Sequence, residues 1–155
     1  MQFHGGLTDF TVRSDTMHTI FGGGRKDLEF PMFLLVDNAQ VTFQNLVFTD
    51  GLALDGGSVM TVYPMATATL RTCAVSLNYG TAIFIYMAHL LTFETNFTTN
   101  YSPSSAGAVQ VTAGSAEFED TLFDGNEAGA GAGGAAGAGA GGAGSGAAGS
   151  TFCSG

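Results

Sequence analysis

Carboxylates come closest in this chain to a catalytic arrangement. Asp50 and Asp55 flank one short segment, and Asp120 and Asp124 flank another. A glycoside hydrolase needs two carboxyl groups about 5–9.5 Å apart, of which one acts as the acid and the other as base or nucleophile. Both pairs also lie at predicted turns, where aspartate is favoured because it accepts hydrogen bonds from nearby backbone. The sequence therefore favours turn residues, with catalysis or calcium binding as the alternative.

Arg71 is the residue that could serve as the base of a polysaccharide lyase. Such an enzyme abstracts a proton with Arg or Lys, and a cation neutralises the uronate. Of the four Lys and Arg residues, only Arg71 falls on the aligned strands described below. We therefore interpret Arg71 as part of an outward ladder, beside Glu94 in a surface ion pair worth about 0–1 kcal/mol.

The histidines and the glycine-rich loop give no catalytic pattern. His4, His18 and His89 are scattered, without a serine or cysteine nucleophile arranged near them. His89 starts a predicted strand and is interpreted as a surface residue. Residues 22–27 read Gly-Gly-Gly-Arg-Lys-Asp, but the Gly-Lys-Ser/Thr of a phosphate-binding loop does not follow. This loop is predicted to be a β-turn.

The two cysteines, Cys73 and Cys153, lie 80 residues apart and belong to no Cys-x-x-Cys or Cys/His cluster, so a zinc site is not expected. A disulfide between them has no support in the sequence. Cys73 falls in an apolar column and is predicted to be a small buried hydrophobe. Asn96 and Asn100 begin glycosylation sequons, which have meaning only in a protein secreted by a eukaryote. For Asn96 the alternative is an internal turn hydrogen bond.

The charge balance restricts the partners. The chain has 155 residues with 13 Asp and Glu against 4 Lys and Arg, a net charge of −9. Nucleic acid is bound through Lys and Arg, so it is excluded as an expected partner. Acidic polysaccharides are repelled unless a cation bridges them. The first 15 residues lack the pattern of a signal peptide, and no apolar run reaches the roughly 20 residues of a membrane span. We expect a fragment of a larger protein.

Four segments, 41–48, 68–75, 91–97 and 116–123, align as repeats of 22–27 residues. The third segment is one residue short. Their apolar positions form two predicted inward columns, Phe43/Leu70/Phe93/Phe118 and Phe48/Val75/Phe97/Phe123. One step beyond the first column lies a predicted outward ladder, Gln44/Arg71/Glu94/Glu119. This alternation is typical of half-buried strands.

A second strand is predicted at 57–62, 81–85 and 107–111, anchored by Val59, Ile83 and Val109. Strands this short cannot bury a face alone, but stacked coils about 4.8 Å apart can. An earlier coil is predicted at 19–24 and 33–36, and a poorer one at 3–18. The fold class is therefore all-β, a right-handed parallel β-helix solenoid of about five coils.

The chain is predicted to divide into β-helix repeats at residues 1–127, regular from 19 to 127, and a low-complexity tail at 128–155. Almost every residue from 128 to 149 is Gly or Ala, and such a segment has no bulky side chains to offset its ordering entropy. A flexible tail is the leading interpretation, with a degenerate final coil near residues 133–136 as the alternative.

The repeats contain Phe97-Thr-Thr-Asn100 and Phe123-Asp-Gly-Asn126. Val75-Ser-Leu-Asn78 is a conservative match, and Phe48-Thr-Asp-Gly51 departs at its last position. Partial Gly-Gly-Ala-Ile/Val/Leu elements follow at 56–59, 80–83 and 106–109. Residues 19–127 thereby resemble the repeats of chlamydial polymorphic outer-membrane proteins and the wider pectin-lyase-like β-helix group. The resemblance implies a surface-exposed, often autotransported domain used in adhesion.

The sequence leads to a hypothesis of a non-enzymatic, cell-surface or secreted β-helix module that functions in adhesion or binding. Carbohydrate or a cell-surface protein is the expected partner, coils could stack end to end, and no cofactor, metal or catalytic residue is assigned. The alternative is a relative of polysaccharide lyases or hydrolases. An enzyme predicts carboxylates or an arginine converging on one strand face, whereas a binding surface predicts Thr, Ser, Gln and small residues there.

Overall fold

A computed structural model describes residues 1–3, 10–15, 19–22 and 31–128. Within these ranges the chain forms seventeen β-strands and no helix. The strands are β1 Gln2–Phe3, β2 Phe10–Arg13, β3 Thr19–Gly22, β4 Phe33–Leu35, β5 Gln40–Gln44, β6 Leu46–Thr49, β7 Leu52–Val62, β8 Thr67–Arg71, β9 Ala74–Ser76, β10 Tyr79–Tyr86, β11 His89–Phe93, β12 Asn96–Thr98, β13 Tyr101–Ser102, β14 Val109–Thr112, β15 Ser115–Glu119, β16 Leu122–Asp124 and β17 Glu127–Ala128.

The strands stack into three sheets that run the length of the molecule. Sheet A contains β1, β4, β7, β10, β13, β14 and β17; sheet B contains β2, β5, β8, β11 and β15; sheet C contains β3, β6, β9, β12 and β16. One coil passes through sheets B, C and A in turn, as in β5, β6 and β7. Each strand pairs in parallel with its counterpart in the next coil. The protein is therefore a parallel β-solenoid of about four turns, as the repeats predict.

The core fills the space between the sheets with stacked apolar side chains. Phe48, Val75 and Phe97 are fully buried and occupy one column with the partly buried Phe123. The Phe97 and Phe123 rings stack with centroids 4.9 Å apart. This column confirms the second predicted one. A fully buried phenylalanine contributes up to about 3 kcal/mol through the hydrophobic effect.

The first predicted column is wrong at Phe93. Phe43 lies opposite Leu70, but Leu70 lies opposite Thr92, which in turn lies opposite Phe118. Thr92 is buried, and its hydroxyl is hydrogen-bonded to Thr121 Oγ1 at 2.8 Å. Because the hydroxyl has this partner inside the solenoid, the column accepts a threonine, and Phe93 moves to the outer face.

The anchor predicted at Val59 is also wrong by one residue. Ile83 pairs with Met60, and on its other side with Val109. The register shifts between Thr81 and Ile83, because β7 has one more residue than β10 in this stretch. Such a bulge changes which side chains face each other. Val59 is nevertheless buried.

A ladder of asparagines runs through the corner between sheets C and A. Asn78 Nδ2 donates to Asn100 Oδ1 at 2.8 Å, and Asn100 Nδ2 donates to Asn126 Oδ1 at 2.7 Å. Each amide also donates to a carbonyl of the preceding coil, those of Phe48, Val75 and Phe97. In the coil before Asn78, the backbone N–H of Gly51 donates to Asn78 Oδ1 at 2.8 Å. The Phe-x-x-Asn repeat thus places a polar ladder inside the solenoid.

Each corner is turned by a residue in the left-handed backbone region. The corner residues between sheets A and B are Asn38, Met65, Met87 and Ala113; between B and C, Asn45, Thr72, Glu94 and Asp120; between C and A, Asp50, Leu77, Thr99 and Gly125. Side chains other than Gly, Asn and Asp adopt this region at a cost of about 1–2 kcal/mol. Stacking of like corners must offset that cost in every coil.

Replacing Leu77 with asparagine is expected to stabilise the protein by up to about 1 kcal/mol. Leu77 has a φ of 55° and a side chain that is 60% exposed, so the change relieves strain and removes little buried surface. Chemical denaturation measures the change. The matched control is Leu122→Asn, an exposed leucine within strand β16, which is expected to be neutral or destabilising. Equal effects of the two substitutions would contradict backbone strain as the cause.

The early coil is confirmed by β3 and β4, while β1 and β2 show strands further back. Residues 50–55 are interpreted from sequence as a loop, which is wrong from Leu52 onward because β7 begins there. The loop at 22–27 lies outside the described residues except for Gly22. The tail lies outside them except for Ala128.

Candidate functional site

The aspartates do not form a shared site. Asp50 and Asp120 are corner residues with φ of 56° and 47°, in successive but different corners of the coil. Asp50 Oδ2 accepts a hydrogen bond from Thr49 Oγ1 at 3.3 Å. Asp124 is exposed in β16, and the side chain of Asp55 lies outside the described part. The turn interpretation is therefore confirmed for Asp50 and Asp120.

Arg71 does not pair with Glu94 as predicted. Its guanidinium carbon lies 4.1 Å from the centroid of the Phe93 ring, in the neighbouring strand. Glu94 instead accepts a hydrogen bond from Thr72 Oγ1 at 3.1 Å. The one-residue shift that buries Thr92 brings Phe93 alongside Arg71. The outward ladder is therefore Gln44, Arg71, Phe93 and Glu119.

His89 lies at the start of β11 on the outer face. Its Nδ1 atom is 2.7 Å from Ser115 Oγ, in the next coil. Both side chains are exposed, which confirms His89 as a surface residue. His4 and His18 lie outside the described residues.

Cys73 is a buried free thiol, as the sequence predicts. Its Sγ atom lies 3.4 Å from the Phe43 carbonyl oxygen and 3.3 Å from that of Arg71. Burial raises the pKa of the thiol above its ordinary value of 9.0, although backbone hydrogen bonds act in the opposite direction. A buried thiol with a raised pKa is a poor nucleophile. Cys73 therefore belongs to the core.

The raised pKa of Cys73 predicts a loss of stability in alkali. Above pH 9.0 the unfolded thiol loses its proton while the folded thiol retains it, so the unfolded state gains stability. In a Cys153→Ser background, the free energy of unfolding is expected to fall as pH rises from 9 to 10.5. Adding Cys73→Ala should make this fall shallower. Identical pH profiles for the two proteins would contradict the prediction.

The two sequons differ in accessibility. Asn100 is fully buried in the asparagine ladder, so its amide cannot carry a glycan in the folded protein. Asn96 is exposed in β12. Its position in the strand differs from the predicted turn column with Thr72 and Asp120, because Glu94 is the corner residue of this coil.

The outer face of sheet B fits neither sequence expectation fully. It carries threonine and glutamine, as a binding surface predicts, in the positions Gln40, Thr42, Gln44, Thr67 and Thr69. It also carries Leu91 beside Phe93, and Arg71 beneath them. Glu117 and Glu119 project from the last described strand, two residues apart on the same face. The face is therefore mixed.

Sheet A presents two pairs of exposed tyrosines on its outer face. Tyr79 and Tyr101 lie in adjacent coils with ring centroids 5.4 Å apart, and their exposed fractions are 44% and 38%. Tyr63 and Tyr86 form a second pair with centroids 6.5 Å apart. Exposed aromatic rings in register make a platform with an apolar face and a polar hydroxyl rim.

Sequence analysis did not identify these tyrosines, although a signal was present. Tyr79 and Tyr101 each follow a ladder asparagine, in the dipeptides Asn78-Tyr79 and Asn100-Tyr101. Because the ladder fixes the register at this corner, residues that follow it must stack. Leu77 lies next to the first pair, and Met65 and Met87 lie next to the second, all exposed. The two platforms are thus the exposed apolar parts of sheet A.

Within the part of the chain that the structure describes, no three His, Cys, Asp or Glu side chains are grouped so that they could hold a metal ion. No helix among the same residues is long and apolar enough to cross a membrane.

No protein-family model, curated protein or solved structure matches the chain. The class of the protein is therefore defined by its architecture, a parallel β-solenoid built from repeats.

Proposed function

We propose that this chain is a non-enzymatic binding module of a surface-exposed or secreted protein, used in adhesion, and that it binds an uncharged carbohydrate. The observation that carries the proposal is the Tyr79/Tyr101 platform on the outer face of sheet A. A sugar ring has a face of C–H bonds and a rim of hydroxyls, which matches the apolar face and polar edge of tyrosine.

The geometry of the platform suits an extended ligand. Its rings belong to successive coils, so a ligand that runs along the solenoid axis meets one ring per coil. The column continues with Leu52 on one side and Glu127 on the other. Solenoids provide long, regular surfaces of this kind for binding. A linear oligosaccharide is therefore the favoured ligand shape.

The charge of the protein favours a neutral sugar. The net charge of −9 repels uronic acids and sulfated glycans. The resemblance of the Phe-x-x-Asn repeats to those of polymorphic outer-membrane and pectin-lyase-like proteins supports a surface role, and we include that relationship in the proposal. A cell-surface protein remains the other partner class, to which the tyrosine platforms would bind as aromatic anchors.

Binding should be screened on an array of neutral and acidic oligosaccharides, and the tightest binder titrated by calorimetry. Tyr79→Ala and Tyr101→Ala are each expected to weaken its binding about tenfold, because each removes one stacking contact. Leu122→Ala is the matched control, an exposed apolar residue on sheet C. Binding of acidic glycans only, or an equal loss in the control, would overturn the proposal.

One observation favours a second function, that of a carbohydrate-active enzyme. Glu117 and Glu119 project from the same face of β15, and carboxylates two residues apart on a strand are about 7 Å apart. This spacing lies within the range for inverting glycosidases. Release of reducing sugar from the array ligands, abolished by Glu117→Gln or Glu119→Gln, would support it over the binding module.

A further inference from the structure

The two ends of the solenoid present unpaired strand edges. Within the described residues, β2 and β15 are the outermost strands of sheet B, and β3 and β16 are those of sheet C. The outer edge of a strand has a row of N–H and C=O groups that can pair with another strand. The question is which polypeptide fits these edges.

The direction of the backbone groups follows from the hydrogen bonds of the end coils. Ser14 N donates to Gln44 O, so Ser14 faces inward along the stack, and by alternation Arg13 and Thr11 face out. At the other end, Ser115 N donates to Ala88 O, so Ala116 points its N–H and C=O outward. The outward groups of β2 and β15 belong to opposite ends of one parallel ladder. They are therefore matched in polarity.

The ends of sheet A are complementary in outline. At the C-terminal end, β17 pairs with β13, and the edge of β14 has no strand beyond it among the described residues. At the N-terminal end, β1 pairs with β4 in the part of the sheet that β14 occupies four coils away. A second molecule continued in the same register would place its β1 on β14. Its β2 and β3 would then lie on β15 and β16.

The side chains at the two edges also match in this register. The inward column of Val41, Ala68 and Leu90 ends at Phe10 on one side and at Ala116 on the other. Phe10 is 40% exposed, and Ala116 is only partly buried. Stacking would bring these two residues together and cover both. The next inward column would likewise join Val12 to Phe118.

The outward column places opposite charges side by side. It runs from Arg13 through Gln44, Arg71 and Phe93 to Glu119. Arg13 contacts Asp15 within its own coil at 3.1 Å and is largely exposed. The C-terminal coil is acidic, with Glu117, Glu119, Asp120, Asp124 and Glu127 and no Lys or Arg from 115 to 128. Three of the four basic residues lie within the first 26 positions.

We propose that a second copy of this chain docks head to tail on the C-terminal edge, so that β1, β2 and β3 of one copy pair with β14, β15 and β16 of the other. Arg13 of one copy then lies beside Glu119 of its neighbour. The same contact repeats at every junction, so the assembly is an open filament of solenoids. Such a filament would display the tyrosine platforms of many copies along one axis.

Sedimentation velocity and light scattering of the full chain over a range of concentrations test the docking. The expected result is a series of oligomers that grows with concentration and shrinks at high salt. Arg13→Glu and Glu119→Lys should each weaken association roughly fivefold, the upper end for one cross-strand charge pair. The double variant should restore it, because the two charges are exchanged. Asp50→Lys changes the net charge equally at a mid-stack corner and is the matched control.

Ala116→Pro provides a test that does not depend on charge. Its N–H points away from β11, so proline removes a donor of the outer edge and none of the bonds to β11. This variant should be folded by circular dichroism and monomeric. A wild-type chain that stays monomeric at all concentrations would overturn the proposal. So would equal weakening by Asp50→Lys, or association that Ala116→Pro leaves unchanged.

Discussion

Replacing Asn100 with alanine is expected to lower the free energy of unfolding by about 3 kcal/mol. Asn100 is 0% exposed and forms the middle of the asparagine ladder. Without its amide, Asn78 Nδ2 loses an acceptor and the Val75 carbonyl loses a donor, and both partners are buried. Each such unsatisfied group costs about 1–3 kcal/mol. Denaturant titration monitored by circular dichroism measures the loss.

Two further variants make this prediction sharper. Asn96→Ala, in the exposed asparagine of β12, should change stability by less than about 0.5 kcal/mol. Asn100→Asp retains an acceptor but has no amide to donate to Asn126 and Val75, and it buries a charge. We expect it to be at least as destabilising as alanine. A tolerated aspartate would show that the ladder does not depend on these donors.

Replacing Gly80 with alanine is expected to destabilise the protein by about 4 kcal/mol or more. Gly80 has a φ of +97°, and a Cβ built there would lie 1.7 Å from the carbonyl oxygen of Ala53. Ala53 is buried in the preceding coil, and its backbone cannot turn aside as a side chain could. The two coils would have to separate locally. Thermal unfolding should show a large fall in Tm or no cooperative transition.

Gly125→Ala is the matched control, because Gly125 also has a positive φ, +60°, at a corner. The nearest atom to its Cβ would be 3.7 Å away, an ordinary contact. The cost should therefore be that of the left-handed conformation alone, about 1–2 kcal/mol. If both glycines tolerate alanine equally, close coil-to-coil approach at Gly80 is not what requires glycine there.

Both predictions concern contacts between coils, and such contacts explain where the sequence was sufficient. The period of 22–27 residues and the Phe48 column could be predicted because they depend on which residues recur, and recurrence is visible in one dimension. Confinement of the polar corner residues to turns could be predicted for the same reason. The parallel solenoid follows, because short strands of this period bury a face only by stacking.

Register within a coil could not be predicted where the repeat length changes. The shortened third repeat permits either Thr92 or Phe93 to face inward, and hydrophobicity favours phenylalanine. The fold instead buries Thr92, whose hydroxyl finds Thr121 in the next coil. That partner is 29 residues away in sequence. The extra residue in β7 shifted the anchor from Val59 to Met60 in the same way.

The sequence by itself determined that the chain is an all-β repeat with apolar columns, because a periodic apolar pattern has one efficient way to leave water. It also determined a strongly negative charge that disfavours anionic partners. Only the tertiary structure decided the pairing across coils, and with it the Tyr79/Tyr101 platform and the Arg71 contact with Phe93. The physical reason is that these contacts join residues 22 positions apart, and a shift of one residue moves a side chain to the other face of its strand.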